Sequence, residues 1–395
     1  MVVERNDFYR PSYTLPIFAV VRHLQVKLIK FSSLSGQIAG LLEQELRDDC
    51  DYREGQRRIY AHAVDFADYY KKHLEAEHQC ETEEVLVNLP ALKQRWYAAH
   101  PSYTESDTLQ YALDQIAEFK PDVVFDQARV LLPVIGDLKK RFPFIRCTTT
   151  WDGWIASVPA KMHGYDLYFT CVPEILEKHV AVGHRCTINP FGFETSLLER
   201  IHVPDERINR VCFVGSLSSG IHNLRNRVLN ELRREDVLDW WIGNIGQGLF
   251  TRSKLRELAY GNFRAFWNNL PFELHNRGKL YGLEMYQTMA QYHLTINIHG
   301  DQVQNIGNMR LTEAGGVGTC QLIDWKPNAE QYFKPDEEAV FFRTVDELKS
   351  KVRYLLAHPE EARKIGEAAQ KRVLREYTFA AHVARFMQEV RAFLG

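Results

Sequence analysis

Short apolar runs alternate along the chain with stretches of helical period. From Val26 the sequence VKLIKFSS reads as a strand, and from Leu34 to Asp48 the residues Leu34, Ile38, Leu41, Leu42 and Leu46 recur on one helix face. Residues 50–118 differ: they are rich in Tyr, His, Glu and Lys, with several helical stretches around one apolar run, Val85 to Leu89, and read as a helical insertion. Strands are predicted at 122–125, 143–150, 165–170 and 186–190, with helices running to Arg141 and over 173–181. Alternation at this spacing predicts a parallel, doubly wound sheet.

The pattern then restarts. A polar stretch, 202–209, contains Pro204 and precedes five more predicted strands, at 211–215, 239–244, 294–298, 318–323 and 339–342, with a helix at 224–234. The chain ends in two helices. One begins at His358-Pro359 with acidic residues in its first turn, and the other carries Phe379, Val383, Phe386, Val390 and Phe393 on a single stripe. The fold class predicted is α/β, two Rossmann-like domains facing each other across a cleft. Residues 1–203 form the first with the insertion 50–118, 204–375 the second, and 376–395 a helix crossing back to the first.

Composition narrows the function. A chain of 395 residues accommodates two or three domains at roughly 150 residues each. Lys plus Arg total 49 against 51 Asp plus Glu, a net charge of −2, which disfavours a general nucleic-acid binder. The apolar run Leu15 to Val21 is far shorter than the roughly 20 residues of a membrane span. It predicts no transmembrane segment and no secretion signal, and leaves peripheral membrane contact open. Seven scattered cysteines without a C-x-x-C pair read as reduced thiols of a cytoplasmic protein and predict no zinc site. No phosphate loop or G-x-S-x-G occurs, and neither a metal nor a cofactor is expected. Oligomeric state leaves no legible signal.

In open parallel sheets, ligands collect beyond the carboxyl ends of strands. Polar corners stand at such ends at Ser32-Ser33, Asp126-Gln127, Trp151-Asp152, Gly215-Ser216, Asn244 and His299-Gly300. The densest stretch is 297–324, where Asn308 begins a short helix that stops at Gly315-Gly316. The amides of Gly307, Asn308 and Met309 at that helix start suit a diphosphate, Arg310 adds a charge, and Glu313, an exposed carboxylate of the cleft, is spaced to reach an attached ribose. The same spacing also describes a plain loop with a glycine stop and a surface Glu. Trp151, Trp154, Trp240 and Trp241 are candidate sugar-stacking residues, or core. Asp126 and Asp152 are the first-domain carboxylates placed by topology to face an acceptor hydroxyl, one of them as general base if the reaction inverts.

Tyr281-Gly-Leu-Glu-Met-Tyr286, Asn297-Ile-His299, Asn308-Met-Arg-Leu-Thr-Glu313, the Gly-Val-Gly turn and Asp324-Trp325 resemble the C-terminal domain of GT-B glycosyltransferases. The branch most similar is the CgeB-like, spore-maturation-protein-like one, related to the retaining nucleotide-sugar enzymes. The resemblance is strong over 205–390, including the tail from Pro359 to Tyr377-Thr378. It is weaker over 24–195, where it rests on Lys120-Pro-Asp-Val-Val-Phe, Tyr165-Asp-Leu and Pro190-Phe-Gly-Phe, and it is absent from 1–23 and 50–118. It implies that Glu313 binds ribose and that Gly307 to Met309 bind phosphate. Eight positions before the ribose Glu the retaining relatives carry another Glu, and here stands Asn305, which orients a sugar hydroxyl without carrying charge. His299 is a further donor-side candidate, as are Gly215 and Ser216. After Val214-Gly-Ser-Leu-Ser-Ser-Gly the available phosphate cations are Arg225 and Arg227. The expectation is a metal-independent glycosyltransferase, hexosyltransferase in type, moving sugar from a nucleotide diphosphate sugar to a glycan or other hydroxyl acceptor in polysaccharide biosynthesis. The alternatives are a sugar-nucleotide epimerase or hydrolase, and a non-catalytic subunit of the same fold.

Overall fold

The computed structural model describes residues 26–154, 156–217, 221–245 and 270–395. The run Leu15 to Val21 and Ser218 to Gly220 of the Val214 motif lie outside the described residues. The first sheet holds β1 (Lys27–Ser32), β2 (Glu81–Leu86), β3 (Val123–Asp126), β4 (Cys147–Trp151), β5 (Leu167–Thr170) and β6 (Cys186–Ile188), all parallel, in the order β2-β1-β3-β4-β5-β6. The second holds β7 (Ile208–Gly215), β8 (Leu238–Ile242), β9 (Tyr292–Asn297), β10 (Cys320–Asp324) and β11 (Val340–Phe342), also parallel, in the order β11-β10-β9-β7-β8. Both sheets change direction of winding at their first strand, between β1 and β3 and between β7 and β9. These are the two crevices where a doubly wound sheet opens beyond its carboxyl edge.

Residues 50–118 belong to the first sheet rather than being inserted into it. They supply α2 (Tyr52–Ala61), α3 (Tyr69–His78), β2, α4 (Pro90–Ala99) and α5 (Thr108–Phe119), and β2 pairs with β1 along its whole length, from Lys27 opposite Glu81 to Ser32 opposite Leu86. The strand was hidden by its charges. It reads ETEEVL, and both Glu83 and Glu84 are buried, the first against Arg53 at 2.6 Å and the second against the buried Lys30 at 3.4 Å. A hydrophobic reading passes over such a strand and starts it late, at Val85. The remaining helices of this domain are α1 (Gly36–Leu42), α6 (Ile135–Arg141) and α7 (Pro173–Ala181).

The second domain carries α8 (Asn223–Arg234), α9 (Gly282–Ala290), α10 (Arg310–Gly316), α11 (Ala329–Tyr332), α12 (Val345–Ala357) and α13 (Pro359–Glu376). Thr378 caps the last helix, α14 (Phe379–Leu394), by accepting from the Ala381 amide. That helix lies on the first domain. Its Phe386 ring is 5.1 Å from Phe125 and 5.0 Å from Phe169, and Arg391 donates to the His78 carbonyl. Phe379, Val383, Phe386 and Val390 are all at most 1% exposed, each buried side chain contributing about 1.5–3 kcal/mol. As a result one of the buried clusters is continuous across the boundary, containing Phe125 and Phe169 of the first domain together with Leu311, Val317 and Phe341 of the second.

His382 of α14 is fully buried in this seam. Its Nδ1–H donates to the Pro190 carbonyl at 2.8 Å, so its Nε2 accepts from the Tyr70 hydroxyl at 2.6 Å, and the ring is neutral. Burial brings its pKa from 6.5 to about 3. Because the folded value is depressed, the stability it contributes is present above about 6.5 and is lost as pH falls from there toward 3. Urea unfolding between pH 7.5 and 4.5 will show wild type losing up to about 1.4 kcal/mol per pH unit more than His382→Gln.

Candidate active site

A cavity of about 650 Å³ opens between the domains at the crevice of the second sheet, a volume suited to a sizeable ligand. Gly215 and Ser216 enter it from the end of β7, His299 from just beyond β9, and Asn305, Gly307, Asn308 and Met309 from the loop that leads into α10. Arg310 and Glu313 of α10 and Arg225 of α8 also line it. Ten of the residues singled out in the sequence thus meet in one space. Arg227 does not: it is exposed on the opposite side of the α8 stripe, and of the two cations only Arg225 reaches the cavity.

The two first-domain aspartates are corrected by the structure. Asp126 is fully buried and accepts from the amides of Val130 and Leu131 and from the Tyr165 hydroxyl, at 2.7–3.0 Å. Asp152 is equally buried, accepting from Ser157 and the Trp154 amide and pairing with His179 at 3.1 Å. Both tie down the turn that follows their strand, and neither is among the residues that line the cavity. Of the four tryptophans only Trp154 presents itself, 56% exposed at the cavity lip, while Trp151 and Trp240 are core and Trp241 packs on Tyr292.

On the second-domain wall charge is closely arranged. Glu313 is only 8% exposed, not the open carboxylate expected, because Arg310 pairs with it at 3.0 Å and the Tyr286 hydroxyl approaches its other oxygen at 3.5 Å. Arg310 is held in turn by the Val214 carbonyl at 3.2 Å and by the Met285 and Met289 thioethers at 3.1 Å. Arg225 donates to the carbonyls of Ser216 and Ile298, bridging the ends of β7 and β9, and burial lowers its pKa to about 10, still charged at neutral pH. His299 donates through Nδ1 to Asp324 at 2.8 Å, which leaves its buried Nε2 without a partner among the described residues. Burial works to raise Asp324, but the His299 ring and amide, with Lys326 nearby, hold it below the usual carboxylate range.

The loop before α10 is held from both sides. Asn297 and Asn308 exchange side-chain hydrogen bonds at 2.7 and 3.0 Å, and Asn328 clasps both backbone groups of Ile306. From the first domain, Glu174 accepts from the amides of Gln304 and Asn305 at 2.6 and 2.9 Å. Gly307 passes so close to that domain that a Cβ would stand 2.6 Å from the Cys171 carbonyl oxygen. The amides of Gly307, Asn308 and Met309 make no hydrogen bond within the described residues.

The first-domain wall contributes Asp65, a residue the sequence did not single out. It sits between α2 and α3 in a stretch where Ala63, Asp65 and Ala67 all have positive φ, 54°, 52° and 41°. No glycine marks this turn, so nothing in the sequence betrays it. Beneath it lies Lys30, whose ammonium donates to Ser32 at 2.7 Å and pairs with Glu84. Burial pushes Glu84 up, to about 7, and Lys30 down, against their mutual attraction.

Two parallel doubly wound sheets facing each other across a cleft, with the last helix returned to the first, make the GT-B architecture. The profile of the family described as glycosyl transferase-like matches residues 244–388, most of the second domain. Sucrose-phosphate synthase from Thermosynechococcus elongatus superimposes with a TM-score of 0.57 at 13% identity, covering 93% of this chain and 99% of that one. Anabaena HepE in complex with UDP-glucose gives 0.56 at 12% identity, with 93% and 100% covered. AviGT4, a glycosyltransferase of avilamycin A biosynthesis, gives 0.53 at 12%, with 93% and 98% covered. At these identities the likeness establishes the fold. A search of curated proteins by sequence gives no match. Among the described residues no helix is long and apolar enough to cross a membrane, and no group of three or more His, Cys, Asp or Glu is arranged to hold a metal ion.

The contact at Gly307 is testable by a methyl group. Gly307→Ala will cost roughly 1–3 kcal/mol in urea unfolding, as overpacking does. Gly300→Ala, where the nearest atom to an added Cβ is at 3.6 Å, will stay within about 0.5 kcal/mol of wild type.

Proposed function

We propose that this chain is a glycosyltransferase of the CgeB-like branch, moving a sugar, a hexose in type, from a nucleotide diphosphate sugar to a glycan or other hydroxyl acceptor. The observation that carries the reading is the gathering of Glu313, Arg225 and the three unengaged amides 307–309 on one wall of a cavity at the crevice of the second sheet. In this reading Glu313 accepts from the ribose hydroxyls and Arg310 fixes its orientation. The amides, with the Arg225 charge behind them, take the diphosphate and stabilise it as it departs, which removes the need for a metal. His299 Nε2 and the Asn305 side chain orient hydroxyls of the sugar. The acceptor lies against the first domain, with Trp154 as its stacking surface. HepE, whose structures hold UDP-glucose and UDP, supports a uridine donor as the first to try. The domain limits proposed are 1–203, 204–375 and a returning tail, 376–395, and the proposed location is the cytoplasm.

The test is incubation with a panel of nucleotide sugars, with and without glycan acceptors. Acceptor-dependent release of nucleoside diphosphate is the expected result. Conversion without acceptor would point to an epimerase or hydrolase, and binding without turnover to a subunit.

Two expectations sharpen the site. Calorimetric titration with the cognate nucleoside diphosphate will show Glu313→Gln binding about tenfold or more weakly, since charge-assisted hydrogen bonds are worth roughly 1.5–3 kcal/mol each. Arg225→Ala will weaken binding similarly, and Arg227→Ala will leave it unchanged. Separately, Trp154→Ala will raise the KM for the acceptor while the affinity for nucleotide stays within twofold.

A further inference from the structure

We propose that Asp65 is the general base of the transfer and that the reaction inverts the anomeric configuration of the sugar. This deepens the transferase reading and rests on it. Two carboxylates line the cavity among the described residues, Glu313 on the second-domain wall and Asp65 on the first. Glu313 is engaged by Arg310, on the side assigned to the nucleotide. Asp65 makes no hydrogen bond or ion pair within the described residues, so both its oxygens are free to take a proton, in contrast to the saturated Asp126 and Asp152.

Its backbone is built to hold it there. The left-handed region is sparsely populated by residues with a Cβ, and persists only where the surroundings over-determine it. Here it recurs three times in five residues, at Ala63, Asp65 and Ala67. The anchors are plain: Val64 and Phe66, on either side of Asp65, are 4% and 6% exposed and belong to two different buried clusters. The Phe66 ring meets Tyr70, Phe191 and Phe379, and the His62 carbonyl accepts from the Leu283 amide of the other domain. With its neighbours drawn into two cores, Asp65 is left projecting between them into the cleft.

The stereochemistry follows from the placement of the walls. Asn305 lines the cavity eight positions before Glu313, and an amide cannot serve as the nucleophile of a covalent sugar intermediate. The leaving diphosphate is assigned to the second-domain wall, and the free carboxylate stands on the opposite one. A lone pair of the acceptor oxygen forms the new bond to the anomeric carbon from the Asp65 side. The bond from that carbon to the diphosphate oxygen breaks, and its electron pair leaves with the nucleoside diphosphate. The hydroxyl proton passes to an oxygen of Asp65. Attack and departure on opposite faces invert the centre.

The ionisable groups that face Asp65 are Lys30 of β1, Glu313 of α10 and Tyr286 of α9. Enclosure by the cleft walls, then the charge of Glu313, raise its pKa to about 6 against the pull of Lys30. A base with that value is ready at neutral pH and is silenced by acid.

The experiment uses two variants of the full chain, Asp65→Asn, which keeps the shape, and Asp65→Gly, which removes the carboxylate while accepting the left-handed backbone. Both should melt near wild type and bind nucleoside diphosphate within twofold of it, with kcat reduced about 10²–10⁴-fold. The acid limb near pH 6 in the wild-type rate profile should vanish in any residual activity, and product analysis by NMR should show the inverted anomer. Retention of configuration, or kcat within tenfold of wild type in either variant, overturns the role of Asp65 and leaves the transferase reading standing. Failure of wild type to transfer from any donor overturns both.

Discussion

The placement of the two halves depends on Phe193. Its amide donates to the Tyr377 carbonyl and its carbonyl accepts from the Phe379 amide, both at 2.8 Å, where the chain leaves the first sheet and where it returns. The ring does the rest. It lies against Gly316, the last residue of α10, where a Cβ would stand only 2.3 Å from two ring carbons, and it meets Tyr286 edge-on at 6.0 Å. Tyr286 in turn approaches Glu313. One aromatic residue therefore fixes the crossing of the two strands of chain and sets the distance of α10 from the first domain. The second glycine of Gly315-Gly316 is required for this approach, beyond any part it plays in ending the helix.

The two walls handle charge differently. On the second domain the arginines are embedded, held by main-chain carbonyls and, for Arg310, by Glu313, so their orientation is set before anything binds. On the first, Lys30 and Glu84 are sunk beneath the surface, and Asp65 at the wall has no hydrogen-bond or ion-pair partner among the described residues. Burying an ion pair is costly, and removing one partner leaves the other stranded. The pair is thus a fixed electrostatic floor beneath Asp65, moderating its acidity without occupying its oxygens.

Legibility in the sequence followed the chemistry of burial. The strands of the second domain and β3 of the first are apolar because parallel strands are covered on both faces, and they were readable as runs. β2 was not, since two of its buried residues are glutamates whose partners lie far off in sequence, Arg53 and Lys30. The segment around Glu313 was readable because helix start, glycine stop and carboxylate are local. Asp126 and Asp152 sit at the strand ends where they were sought, but topology fixes only the position of a Cα, and both side chains turned to satisfy amides of their own loops. Asp65 had no local signature at all. Its orientation comes from a left-handed backbone imposed by anchors in two separate cores, and that information exists only in three dimensions.

The buried cluster that runs through both domains has a thermodynamic meaning. Domains are usually pictured as units that fold alone and meet at a modest, partly polar interface. Here Phe125 and Phe169 share a cluster with Leu311 and Phe341, and α14, which follows the second domain in sequence, fills the hydrophobic surface of the first. Each sheet keeps one buried cluster of its own and shares this one with the other. Topological division and packing division therefore do not coincide: the halves are two sheets by winding, but part of the interior of each lies in one shared core, and excising either half would open that core.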